Sequence, residues 1–210
     1  MDTKIYKIDG KAPCFEDIAA CAEVIKNGGT LALPTETVYG LAVNAFDEKA
    51  VELLYEAKNR PPYKPISLCV GDLEQAEQVA VFDDRARRLF DFFMPGPLTI
   101  VLPKKACVPD VVTAGGNTVG IRVPAHNIVS LITKLCGVPL ALTSANLSGM
   151  PSPKRGEEVI NTLSGRVNAI IDGGYVDIGT ESTIVSLVDK PCILREGAIP
   201  AEDLGEYLEL

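Results

Sequence analysis

The sequence contains a single histidine, His126, in the segment Pro124-Ala125-His126. A multi-histidine metal site is thereby excluded, and a Ser-His-Asp site would rest on this one residue. His126 is expected to open a helix on the surface. None of the six cysteines (14, 21, 69, 107, 136, 192) forms a C-x-x-C pair, and several sit in apolar runs such as Leu68-Cys69-Val70. They read as reduced, buried thiols of a cytosolic protein. No apolar stretch approaches the roughly 20 residues of a membrane span, and Met1-Asp2-Thr3-Lys4 opens no leader-like apolar region. No membrane association and a cytoplasmic location are expected. Both nucleotide-binding glycine signatures, G-x-x-x-x-G-K-[ST] and G-x-G-x-x-G, are missing. Bases are outnumbered, 20 against 28 acids, for a net charge of −8. That balance argues against a surface coated for nucleic acid, although it allows a local basic groove.

What is present is an ordinary soluble composition, 47% hydrophobic and 23% charged over 210 residues. One domain, 1–210, is expected. Ile18, Cys21, Ala22 and Ile25 fall at helical spacing within 15–27, and Asn27-Gly28-Gly29 stops that helix. A second helix is expected over 47–57, with Asp47 as its N-cap and Val51, Leu54 and Tyr55 facing inward. Further helices are expected at 72–80, 83–93, 126–136, 155–163 and 201–208. Strands are expected at 5–8, 30–33, 66–70, 98–102, 119–123, 140–142, 169–171, 183–187 and 192–194. Strands alternating with helices predict an α/β fold, a twisted, mixed, open sheet flanked by helices.

Against the acidic background one run stands out: Lys58-Asn59-Arg60-Pro61-Pro62-Tyr63-Lys64-Pro65 places three cations within seven residues and no acid among them. Residues 1–57 carry ten acids and five bases, and residues 151–210 carry eleven and five, so the run could focus positive potential on a negative body. Polar clusters also recur where strands end: Thr35-Glu36-Thr37, Arg122, Thr143-Ser144-Ala145-Asn146 and Arg195-Glu196-Gly197. Ligands of open α/β sheets bind at strand ends, so these clusters are candidates for one site for a phosphorylated or carboxylated small molecule. Without a glycine-rich loop, Lys and Arg must carry much of the charge of any bound phosphate. The alternative for the basic run is a solvated surface loop; its prolines favour a stiff, functional one.

The order of these motifs resembles the YrdC/TsaC family, the threonylcarbamoyl-AMP synthases. The pieces are Pro34-Thr35-Glu36-Thr37-Val38-Tyr39-Gly40-Leu41, Lys58-x-Arg60 followed by Lys64-Pro65-Ile66, and Pro95-Gly96-Pro97-Leu98-Thr99. They continue with Gly120-Ile121-Arg122-Val123-Pro124, Thr143-Ser144-Ala145-Asn146-x-Ser148-Gly149, Glu181-Ser182-Thr183-Ile184-Val185 and Ile193-Leu194-Arg195. The resemblance covers about residues 15–199 in a YrdC-like fold. It implies synthesis of L-threonylcarbamoyladenylate and pyrophosphate from L-threonine, bicarbonate and ATP, with Mg2+ accompanying ATP and no protein metal site. It implies a tetrad of Lys58, Arg60, Ser144 and Asn146 around the nucleotide, a further contact from Arg195, and Thr35, Arg122 and Ser182 around threonine. The product would serve N6-threonylcarbamoyladenosine formation on tRNA through a separate TsaD-type transferase. Two departures are visible. Some members have a histidine after the Lys-Pro-Leu segment where this chain has Cys69 and its neighbours, and many read Arg-Pro-Gly where it has Arg195-Glu196-Gly197. The chain resembles the short family form. The alternatives are a non-catalytic double-stranded RNA or tRNA binder using Lys58, Arg60, Lys64, Arg122, Lys154, Arg155 and Arg195, and a carbamoyl-phosphate chemistry. The run 147–156 has the composition of a mobile lid.

Overall fold

A computed structural model describes residues 2–208. Ten strands form one open sheet. They are β1 (Lys4–Lys7), β2 (Leu31–Leu33), β3 (Gly40–Asn44), β4 (Ser67–Cys69), β5 (Leu98–Pro103), β6 (Thr118–Arg122), β7 (Leu140–Ser144), β8 (Ala169–Asp172), β9 (Thr183–Ser186) and β10 (Cys192–Arg195). Across the sheet they run β1-β8-β2-β3-β7-β4-β6-β5-β9-β10. Pairing is mixed: β8 is parallel to both β1 and β2, while β7 is antiparallel to both β3 and β4.

Side-chain alternation assigns the two faces. In β2, Leu31 and Leu33 point to one core and Ala32 to the other; in β8, Ala169 and Ile171 oppose Ile170. The first face is covered by α1 (Phe15–Lys26) and α6 (Asn127–Cys136), which pack on each other. Ile18, Cys21 and Ile25 of α1 meet Ile128, Val129 and Ile132 of α6 there. The second face carries the larger core, fed by α2 (Glu48–Ala57), α3 (Leu73–Val79), α4 (Asp84–Phe93), α7 (Gly156–Leu163) and α8 (Ala201–Leu208). A four-residue helix, α5 (Asp110–Thr113), lies against α2.

Helix starts follow their caps. Asp47, Asp72 and Asp83 each accept a hydrogen bond from the backbone N–H three residues on, at Ala50, Gln75 and Ala86. Expected elements agree with the structure to within one or two residues at their ends, but β3 and α5 were not foreseen. Two readings need correction. Cys14, Cys107 and Cys192 are exposed, so only Cys21 and Cys69 are fully buried, with Cys136 between; all six are free. His126 does precede α6, but it is half-buried, with a buried Nδ1 that has no hydrogen-bond partner. Burial accordingly lowers its pKa.

Candidate active site

The α1–α6 layer leaves part of its own face of the sheet uncovered, and a cleft of about 270 Å3 opens there. Its floor follows from register. Cys69 pairs with Arg122, Ser67 with Leu142, Gly40 with Ser144, and Thr99 with Ile184, and all eight residues line the cleft. Gly120 keeps the floor open: a Cβ there would lie 2.6 Å from the Ser67 hydroxyl and 3.1 Å from Thr99. Six of the eight residues expected at the site line the cleft: Thr35, Arg60, Arg122, Ser144, Ser182 and Arg195.

Arg122, at the end of β6, is held on three sides. Its Nη2 donates to Glu36 Oε1 and to Thr37 Oγ1, both at 2.8 Å, and its Nε donates to the Gly96 carbonyl at 3.3 Å. The Glu36 ion pair is almost wholly buried. Thr35 Oγ1 accepts from the N–H groups of Thr37 and Val38 and donates to the Val38 carbonyl, which folds the turn after β2 around itself. Such a turn needs a short hydroxyl residue, so Thr35 shapes the wall it lines.

Arg195, at the end of β10, also lines the cleft. Its Nε and Nη2 both donate to the Ser182 carbonyl, at 3.1 and 2.8 Å, and its Nη1 pairs with Glu181 Oε2. Ser182 Oγ lies 2.9 Å from Thr99 Oγ1. The departure at Glu196 stays outside the cleft, where its carboxylate accepts from the first N–H of α8. The departure at Cys69 does reach the floor, where burial pushes its thiol up to about 11 and keeps it neutral.

The basic run separates into three environments. Lys58 caps the C-terminus of α2, is 1% exposed and does not line the cleft. Its Nζ donates to the carbonyls of Ser144 and Asn146 and to Asn146 Oδ1, three acceptors for three N–H bonds. Asn146 Oδ1 also accepts from Ser144 Oγ, and Asn146 Nδ2 donates to the carbonyls of Leu147 and Met150. Lys58, Ser144 and Asn146 are thus bound to one another, and of the three only Ser144 lines the cleft. Burial, and then the Arg60 charge, bring the Lys58 ammonium down to about 7. Arg60 does line the cleft, braced by donation to the carbonyls of Lys64 and Pro65. Lys64 is exposed. The lid-like run 147–156 makes hydrogen bonds to its surroundings: Ser148 N donates to the Lys58 carbonyl, Tyr39 N to the Pro153 carbonyl, and Ser152 Oγ to Glu181 Oε1.

The cleft is therefore lined by three arginines, Arg60, Arg122 and Arg195, together with several hydroxyl side chains. It holds no histidine, and no cluster of metal-ligating side chains occurs among the described residues. The family model for Sua5, YciO and YrdC proteins, described as "Telomere recombination", matches residues 23–197. The chain belongs to the Sua5/YciO/YrdC family. Among curated members, threonylcarbamoyl-AMP synthase of Pyrococcus abyssi is 44% identical over 193 residues, which is 91% of this chain and 57% of that protein. The enzyme of the same name from Bacillus subtilis is 42% identical, covering 89% of this chain and 55% of that protein. The crystal structure of P. abyssi Sua5 complexed with L-threonine superposes with a TM-score of 0.95 and 41% identity, over 98% of this chain and 61% of that one. The chain thus spans somewhat over half the length of these Sua5/YciO/YrdC relatives.

Glu36 and Glu181 fall within the sequence motifs, yet neither is among the residues expected at the site. The available signal was an acid placed between hydroxyl residues beside each expected site residue, Thr35-Glu36-Thr37 and Glu181-Ser182.

Proposed function

We propose that the chain makes L-threonylcarbamoyladenylate and pyrophosphate from L-threonine, bicarbonate and ATP. The observation that carries this reading is the convergence of Arg60, Ser144 and Arg195 with Thr35, Arg122 and Ser182 on one histidine-free cleft. The reaction suits such a site. Bicarbonate gives up hydroxide to yield CO2; the threonine amine forms an N–C bond to it and loses a proton, which leaves with the hydroxide as water, giving a carbamate. A carbamate oxygen then attacks the ATP α-phosphorus, and the bond to the β-phosphate oxygen breaks as pyrophosphate leaves. No enzyme nucleophile is required, so the protein's work is positioning and stabilisation of charge on the phosphates.

In this reading Arg122, Thr35 and Ser182 receive threonine, its carboxylate on Arg122. Arg60, Arg195 and the Ser144 hydroxyl face the triphosphate, while Lys58 and Asn146 hold the turn that presents Ser144. Glu181 is the one carboxylate lining the cleft and is engaged by Arg195 and Ser152. Mg2+ would arrive on the ATP phosphates, which supply most of its ligands. The product would pass to a separate tRNA transferase. The deciding experiment is pyrophosphate release from ATP and bicarbonate, measured with and without L-threonine and with carbamoyl phosphate in its place. Release that requires threonine, with the adduct found by mass spectrometry, is expected. Threonine-independent release, or tight RNA binding with no ATP affinity, would sink the reading.

A further inference from the structure

Arg122 offers only part of its guanidinium to the cleft. Both Nη2 protons are used, on Glu36 and Thr37, and the Nε proton on Gly96. Nη1 has no partner among the described residues, which leaves two N–H groups for a ligand. What fixes this orientation is Glu36. Its main chain is pinned, since its carbonyl accepts from Ile178 N and the next carbonyl, of Thr37, accepts from Gly179 N, each at 2.9 Å. Its side chain is 6% exposed, and its Oε2 is buried with no hydrogen-bond partner. Arg122 is the hydrogen-bonded ion-pair partner of this carboxylate, and the half-buried His126, whose pKa burial lowers and the Glu36 charge raises in part, is a second electrostatic neighbour. Glu36 does not line the cleft; its contact with the site is the ion pair to Arg122.

We propose that Glu36 is a positioning residue that aims the Nη1 edge of Arg122 at the substrate carboxylate and makes this end of the cleft select a zwitterionic amino acid over a simple carboxylic acid. The inference rests on the amino-acid reading of the cleft given above. Glu36 and Arg122 sum to zero. An amino acid adds a carboxylate and an ammonium and leaves the sum at zero. A carboxylate without the amine leaves one uncompensated negative charge in a partly desolvated place, which is costly. Without the Glu36 charge the subsite is cationic, and the simple carboxylate becomes the neutralising ligand.

The test measures dissociation constants of L-threonine, of 3-hydroxybutyrate (threonine without its amine) and of Mg-ATP by calorimetry, together with thermal unfolding. Wild type is expected to prefer threonine. Glu36→Gln keeps shape and an acceptor but removes the charge, and the preference should fall by about tenfold or more. Glu36→Asp keeps the charge but retracts it by one methylene, and threonine should bind at least about fivefold more weakly. Mg-ATP affinity should hold in both variants. If the Gln variant does not fold, the Asp variant decides alone. A folded Gln variant with unchanged preference, or an Asp variant with unchanged threonine affinity, overturns the role of Glu36 and leaves the functional reading standing. Wild type that binds neither carboxylate overturns both.

Discussion

Arg122 and Lys58 show how far two buried cations can differ in one site. Arg122 has a fork whose arms serve different partners, so a lysine cannot replace it. Arg122→Lys should raise the KM for threonine by about tenfold or more, with the KM for ATP little changed, as steady-state kinetics would show. Lys58 instead donates to a fixed cage of oxygens. Its folded pKa, near 7, lies below its ordinary 10.5. Between those values the unfolded chain holds a proton that the folded chain lacks. The contribution of this group to stability is therefore greatest above pH 10.5 and is lost as pH falls toward 7. Denaturant unfolding from pH 7 to 10.5 should show wild-type stability gaining on that of Lys58→Met as pH rises. A constant gap would contradict this assignment. The cage could not be read from sequence, because the carbonyls that form it lie 86 and 88 residues away. Likewise the half-burial of His126 is a tertiary fact; its place before α6 was visible, but what packs around it was not.

At the scale of elements, legibility followed periodicity. α1 and α2 each bury one stripe, and Asp47 announces its helix as a hydrogen-bonding cap. Asp47→Ala should cost about 1 kcal/mol, measurable in the denaturation midpoint. β3 escaped notice because Leu41, Ala42 and Val43 are buried on both faces and show no polar alternation, while Gly40 reads as a turn. α5 is a single turn, too short to carry a period. Most residues of the candidate site were recognisable because they stand at or near strand ends. Their division into those that line the cleft and those that hold a turn was not, since that depends on register. β6 illustrates the cost of register. Gly120→Ala puts a methyl group against Ser67 and Thr99 on the cleft floor. Such overpacking should cost about 1–3 kcal/mol of stability and weaken threonine binding by about tenfold, and calorimetry beside a melting curve would separate the two effects.

For the whole molecule, the net charge of −8 surrounds a cleft lined by three arginines. Several of the cations first counted toward an RNA-binding face are already occupied: Lys58 is caged, Arg122 pairs with Glu36, and Arg195 pairs with Glu181. Duplex RNA should therefore bind weakly and with a shallow salt slope, since few cations are free to contact phosphates, whereas Mg-ATP binding should survive at 0.15 M, where screening acts over about 8 Å. Fluorescence titrations across a salt series would compare them; tight RNA binding with a steep salt slope would reverse the conclusion. No described helix is long and apolar enough to cross a membrane.

The Lys58 cage also has a genetic consequence. Two of its three acceptors are main-chain carbonyls, which no substitution at Ser144 or Asn146 deletes. Damage within this trio should consequently be one-directional. Changing Asn146 leaves Lys58 partly held, but changing Lys58 removes the support of both partners at once. Suppressor mutations should accumulate readily behind a lesion at Asn146 and rarely behind one at Lys58, and in a double mutant the lysine change should mask the asparagine change.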